Sequence, residues 1–200
     1  GEPVLAGDTI AQQRGIRDPH IFRGPDGAFY LAMTDLHVFG LRDGYRKTEW
    51  ERGPEYGWGN NRGLVLMKSW DLIHWNRANI RFDKLSAGLG EIGCVWAPEV
   101  AYDDKKGKLM IYYTMRFKSE ANKLYYVYVN DDFNKIESTP QILFEYPMDG
   151  VSAIDGDITK IGDTYHLFYV AHDGVGGIKQ AVSDRMNGGY VYDARWYDFE

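Results

Sequence analysis

The chain repeats itself. Three segments share one pattern: RDPHIFRGPDGAFYLAMT from Arg17, WAPEVAYDDKKGKLMIYYTM from Trp96 and IDGDITKIGDTYHLFYVA from Ile154. Each runs from a short polar or acidic start through one strand, a turn, and a second strand rich in Tyr, Phe and Leu. Pro25-Asp26-Gly27, Lys106-Gly107 and Gly162-Asp163 supply the positive φ angles of tight hairpins, so three β-hairpins are predicted. Internal similarity of this kind restricts the fold more than any single motif, because each repeat must bury its apolar face against the next.

A third strand follows each hairpin and leaves through a related polar turn. Ser69, Asn130 and Ser183 stand two residues before Asp71, Asp132 and Asp184. Side chains of this type bond their own backbone and set the turn that follows, and a fourth strand is expected after it. Repetition in every unit marks these acids, with Asp26 and Asp163, as scaffold. Four antiparallel strands per repeat describe a blade, so the fold class is all-β, a β-propeller of four-stranded antiparallel blades. Aligning the hairpins puts Asp18, Ala97 and Asp155 in one slot, separated by 79 and 58 residues. The longer interval contains Asp35 to Asn61, rich in Gly, Arg and aromatic residues, which reads as a loop inserted in the first unit. Its Trp50 and Trp58 have little core to enter, and one of them is expected to touch substrate.

Two hundred residues hold about three such blades, whereas propellers close with roughly four to eight. Residues 1–200 are therefore expected to form a single propeller domain that continues beyond Glu200 or is completed by a second chain.

Composition narrows the partners. The sequence is 44% hydrophobic and 15% aromatic, with 23 basic and 29 acidic residues and a net charge of −6. No dense Lys/Arg block is present, which argues against nucleic acid. No apolar run is long enough for a membrane span. Cys94, the one cysteine, reads as a small buried apolar residue. The histidines His20, His37, His74, His166 and His172 show no ligand spacing, so no metal and no cofactor is expected. Phosphate-cradling and serine-nucleophile motifs are absent, and Gly174-Val175-Gly176-Gly177 reads as a hairpin link. The chain starts at Gly1, and a secreted or periplasmic protein with its leader removed is expected.

In a propeller the innermost strands line a central channel, so Asp18, His20, Trp96, Glu99, Asp155 and Asp157 should converge on one cavity. Several carboxylates in an aromatic-lined pocket suit glycoside hydrolysis, which needs one ionised group to activate water and one protonated group to assist the leaving oxygen. Mutual repulsion should separate their pKa values. His20 and His37 are candidate cavity residues, the first from its strand and the second from the start of the inserted loop.

RDPHI at Arg17 to Ile21, WAPEV at Trp96 to Val100 and AIDGDI at Ala153 to Ile158 resemble, in that order, the landmarks of family 43 glycoside hydrolases, which have five blades when complete. The resemblance implies that Asp18 is the general base and that Asp155 orients and tunes the general acid. It implies that Trp96 packs on the sugar. Gly156 stands where that family usually has Pro, and Glu99 replaces a commoner Asp. The family's general acid is a Glu that opens the fourth blade; it is expected past Glu200, with Glu200 itself the one candidate inside the chain. The expected activity is inverting hydrolysis of an α-L-arabinofuranosidic, β-xylosidic or β-galactosidic bond in a plant-type carbohydrate. Alternatives on the same fold are a phosphorylase, a fructosidase or algal-sugar hydrolase, and a propeller that binds carbohydrate without cleaving it.

Overall fold

A computed structural model describes residues 4–45, 50–57 and 61–197. Twelve strands form three four-stranded sheets, and in each sheet spatial order follows chain order. The first blade contains β1 (Ile16–Arg23), β2 (Phe29–Asp35), β3 (Gly63–Ser69) and β4 (Trp75–Arg81). The second contains β5 (Ile92–Asp103), β6 (Lys108–Phe117), β7 (Lys123–Val129) and β8 (Gln141–Phe144). The third contains β9 (Ala153–Ile161), β10 (Thr164–Ala171), β11 (Ile178–Ser183) and β12 (Val191–Tyr197). The predicted all-β architecture of about three antiparallel blades is thus observed. Gly27, Gly107 and Gly162 take positive φ of 86°, 64° and 60° at the three hairpin turns.

The blades stack because their strands are apolar on both faces. In β6 the odd-numbered residues Leu109, Ile111, Tyr113 and Met115 join Tyr30, Ala32, Leu64 and Leu66 of the first blade. The even-numbered Met110 and Tyr112 join Leu167, Tyr169 and Ala171 of the third. Period-two alternation therefore sends one strand into two cores at once, and nearly the whole of β6 is buried. The far face of the first blade, with Leu31, Met33, Val65 and Met67, is covered by Ile10 of the N-terminal segment. The Asp35 carboxylate fastens that segment by accepting the Gln12 and Gln13 N–H groups at 2.8 and 2.9 Å.

The polar turns after the third strands act as scaffold. Ser69 Oγ accepts the Leu72 N–H at 2.8 Å, Asn130 Oδ1 accepts the Lys135 N–H at 2.9 Å, and Ser183 Oγ accepts the Arg185 N–H at 3.2 Å. Asp26 likewise ties its own hairpin, accepting from Ala28 N–H and the Tyr30 hydroxyl at 3.1 and 2.7 Å.

The inserted segment corrects one expectation. Trp50 is only 1% exposed and enters the interior after all. The Arg81 guanidinium lies 3.9 Å and that of Arg62 5.8 Å from its ring centre, so two cations cover an indole inside a polar stretch. Asp83 neutralises both arginines, at 2.7 and 3.1 Å. Trp58 and Glu200 lie outside the described residues.

The ladder of each first strand breaks once near Asp18, Ala97 or Asp155. Register shifts fall between Arg17 and His20, between Trp96 and Glu99, and opposite Phe168 to Val170, which pair with Asp157 and Ile154. Inside each bulge one residue is left-handed: Asp18 at φ 49°, Ala97 at 44° and Asp155 at 55°. A bulge turns its peptide groups out of the ladder. The preceding blade takes up the N–H. Thr34 Oγ1 accepts from Ala97 N–H at 3.0 Å, and Thr114 Oγ1 accepts from Asp155 N–H at 3.1 Å. Both threonines sit in the same register, opposite Arg17 and Trp96.

This clasp predicts that Thr114→Val, which keeps shape but removes the acceptor, destabilises the protein by about 1–3 kcal/mol, the usual cost of an unmet buried donor. Chemical denaturation should show a lower midpoint with an unchanged slope. An unaltered midpoint would mean that the Asp155 N–H finds another partner.

Candidate active site

The bulge gathers the candidate residues at one end of the inner strands. The Asp18 carboxylate accepts the Thr34 hydroxyl hydrogen at 3.2 Å, while the same hydroxyl oxygen receives Ala97 N–H. A single Thr therefore orients the Asp18 carboxylate against the neighbouring blade. Asp155 occupies the matching slot two blades on. Its carboxyl is held above the ordinary Asp range, chiefly by lost hydration and then by the negative charge of Asp18. His172 and Arg17 oppose the rise.

Two residues past each slot stand His20, Glu99 and Asp157, each the first paired residue beyond the bulge in β1, β5 and β9. His20 Nε2 lies 2.9 Å from Glu99 Oε2, and His20 Nδ1 accepts the Val100 N–H at 2.9 Å. A ring that accepts at Nδ1 carries its hydrogen on Nε2, so His20 donates to Glu99 as the neutral imidazole. Both ring nitrogens are engaged within the protein, and His20 thereby builds the wall between the first two blades. The Tyr112 hydroxyl does the same between the second and third, accepting Ile158 N–H at 3.1 Å. Burial holds the Tyr112 hydroxyl well above the ordinary range, and the charges of Glu99 and Asp157 add to it. His20, Tyr112 and Asp157 line a cleft of about 430 Å³ that continues along the inner strands to Lys160.

Trp96 precedes the slot in the second blade and is half-buried. Its indole N–H donates to Asn61 Oδ1. His37 stands two residues past the end of β2, at the same end of the blade as Asp18, and its ring packs on Tyr45 at 5.3 Å. Cys94 is buried, with its thiol pushed up to about 12 by burial.

Thr34, Thr114, Asn61 and His172 were not singled out from sequence. The first two were visible in principle, since YLAMT and MIYYT align within the repeat. His172 directly follows the third hairpin. Asn61 gave no signal. Among the described residues no group of three or more His, Cys, Asp or Glu could hold a metal ion.

With this geometry, residues 1–198 match the family described as Probable glycosyl hydrolase domain, a relative of glycoside hydrolase family 43. The chain belongs to that family. It is 25% identical over 183 residues to an α-L-arabinofuranosidase of Bifidobacterium longum subsp. longum, covering 84% of this chain and 16% of the relative. An α-L-arabinofuranosidase from Clostridium thermocellum superposes with a TM-score of 0.62 at 12% identity, over 95% of this chain and 55% of that one. An α-L-arabinanase from Penicillium chrysogenum, solved with arabinobiose, gives 0.59 at 15% identity, over 86% and 47%. These structures share the fold. The chain spans about half of their length and 16% of the curated relative's.

The raised Asp155 pKa has a direct consequence for stability. Its favourable contribution is complete below the ordinary Asp value of about 3.9 and is lost as pH rises through the higher folded value. Asp155→Asn, which also suits a left-handed backbone, should therefore raise the melting temperature at pH 7 and lose that advantage near pH 3. Scanning calorimetry at both pH values checks this. A variant less stable than the parent at pH 7 would show that the Asp155 charge is compensated.

Proposed function

We propose that this chain carries the base side of an inverting glycosidase site. The observation that supports it most is the pairing of Asp18 and Asp155 in one structural slot, with the charge of Asp18 felt at Asp155. In this reading the Asp18 carboxylate removes a proton from water while the water oxygen attacks the anomeric carbon. The anomeric C–O bond breaks as a Glu protonates the leaving oxygen from the opposite face. Inversion needs those carboxyls about 6.5–9.5 Å apart, which leaves room for the water. The family's acid opens a fourth blade and lies outside the three blades described. In this reading Asp155 keeps that acid oriented and protonated.

Trp96 offers an aromatic face to the sugar, and Glu99, Asp157 and His37 surround it, with His20 holding Glu99 in place. The substrate class is an α-L-arabinofuranosidic, β-xylosidic or β-galactosidic bond in plant-type carbohydrate. The arabinofuranoside ranks first, because the curated relative matching 84% of the chain is an α-L-arabinofuranosidase. A polymeric substrate of this kind fits a secreted or periplasmic protein.

The test uses the full-length protein. Proton NMR of the first-formed sugar should show inverted configuration, and Asp18→Asn should lower kcat by about 10²–10⁴-fold, the usual weight of a general base. Retention would sink the inverting mechanism. Turnover that depends on inorganic phosphate would point to phosphorolysis. Unchanged hydrolysis by Asp18→Asn would remove Asp18 from catalysis.

A further inference from the structure

Arg116, near the end of β6, is 7% exposed and meets three separate parts of the molecule. Its Nη2 donates to Tyr56 O in the inserted segment at 3.1 Å, and its Nη1 donates to Asn122 Oδ1 at 3.0 Å. Its Nε donates to Lys118 O at 3.0 Å. The guanidinium carbon lies 4.9 Å from the centre of the Trp96 ring. A planar cation with its fork fixed by carbonyl and amide oxygens is a rigid support for an aromatic face, which a lysine ammonium cannot reproduce.

Three of these contacts lead toward groups that the reading above places near the sugar. Trp96 is also gripped from its other end, where the indole N–H meets Asn61 Oδ1 and Asn61 O accepts Val95 N–H at 3.0 Å. Tyr56 and Asn61 both belong to the segment that closes the insertion, so the same segment holds the ring and the cation beside it. On the far side, Asn122 N–H donates to Ser152 Oγ and Asn122 O accepts Ala153 N–H, each at 2.9 Å. Ser152 O accepts His172 N–H at 2.9 Å. Ala153 stands two residues before Asp155, and His172 is one of the charges that Asp155 feels. Glycine at positions 57 and 93 leaves the cation its space, since a Cβ at either would come within 3.2 Å of an Arg116 nitrogen.

We propose that Arg116 is a positioning residue for the sugar site, locking the Trp96 ring to the inserted segment and to the strand start that carries Asp155. The inserted segment thereby sets how tightly the sugar stacks. This rests on Trp96 being the sugar platform in the reading above. A purely structural Arg116 would change how much folded protein survives and leave the affinity of the survivors untouched.

The experiment uses the full-length protein and an aryl α-L-arabinofuranoside. Arg116→Met should raise KM on the order of tenfold with kcat within about threefold, the signature of lost uniform binding. Arg116→Lys, which keeps the charge but loses the fork, should raise KM by about threefold. In a Trp96→Phe background Arg116→Met should add less than about twofold, because the ring it braced no longer has its indole anchor. Unchanged KM in Arg116→Lys, or fully additive effects with Trp96→Phe, would overturn the proposal, and Arg116→Lys decides if Arg116→Met does not fold. Calorimetric titration of arabinobiose into Asp18→Asn protein, with and without Arg116→Lys, separates this from the catalytic reading. Equal affinity there refutes Arg116 whatever Asp18 does, and loss of affinity upholds it even if Asp18→Asn still hydrolyses. A protein that neither binds arabinobiose nor cleaves the aryl arabinoside refutes both.

Discussion

In the first strand of each blade one residue turns left-handed, and the structure is arranged around what that turn displaces. For an L-residue with a Cβ the conformation costs roughly 1–2 kcal/mol, yet it recurs at Asp18, Ala97 and Asp155. The bulge sends the N–H of Ala97 and Asp155 out of their own sheets, where Thr34 and Thr114 of the preceding blades accept them. The same kink swings the side chain at that position out of the pleat. One local distortion therefore both ties neighbouring blades together and presents the group that can do chemistry. Asp is among the non-glycine residues that tolerate a left-handed backbone best, so the slot favours a carboxylate on conformational grounds as well.

Charge then limits how the slots are filled. Burial and then the Asp18 charge already raise the cost of ionising Asp155. The middle slot holds Ala97, which adds no third carboxylate, and the neighbouring position carries Trp96 with the Arg116 cation over its ring. In the slot itself the middle blade thus has no acid where the outer two hold Asp18 and Asp155, and an aromatic ring with its cation stands beside it. An acid held above its ordinary pKa lowers stability at neutral pH, so this arrangement costs the fold something there.

The repeat made the architecture legible before any coordinates, because hairpin turns, polar strand exits and the Asp18, Ala97, Asp155 slot are all local patterns. What it could not convey was who meets whom between blades. The threonine clasp needs a partner about 40 to 60 residues away, and nothing in YLAMT or MIYYT alone says that its Thr faces the next blade rather than solvent. Trp50 was misjudged for a related reason. Its polar surroundings suggested exposure, whereas Arg62, Arg81 and Asp83 form a neutralised cage that lets an indole be buried in a charged segment. His20 was named from sequence as a candidate cavity residue, and only geometry reveals that its two ring nitrogens serve Glu99 and the Val100 amide.

The positions two residues beyond the slot carry the same lesson further. His20, Glu99 and Asp157 share one register and one side of the inner strands, yet they are three different residues. A repeat kept identical for packing would have kept them alike, as it keeps the aromatic and aliphatic residues of β2, β6 and β10 alike in character. Divergence at positions that packing does not constrain, next to slots that backbone geometry does constrain, is how a symmetric scaffold acquires an asymmetric site. His20 and Glu99 satisfy each other across one blade boundary, whereas Asp157 stays exposed along the cleft. The hydrogen-bonding capacity left open on this wall is therefore concentrated on the third blade, in the same strand as Asp155.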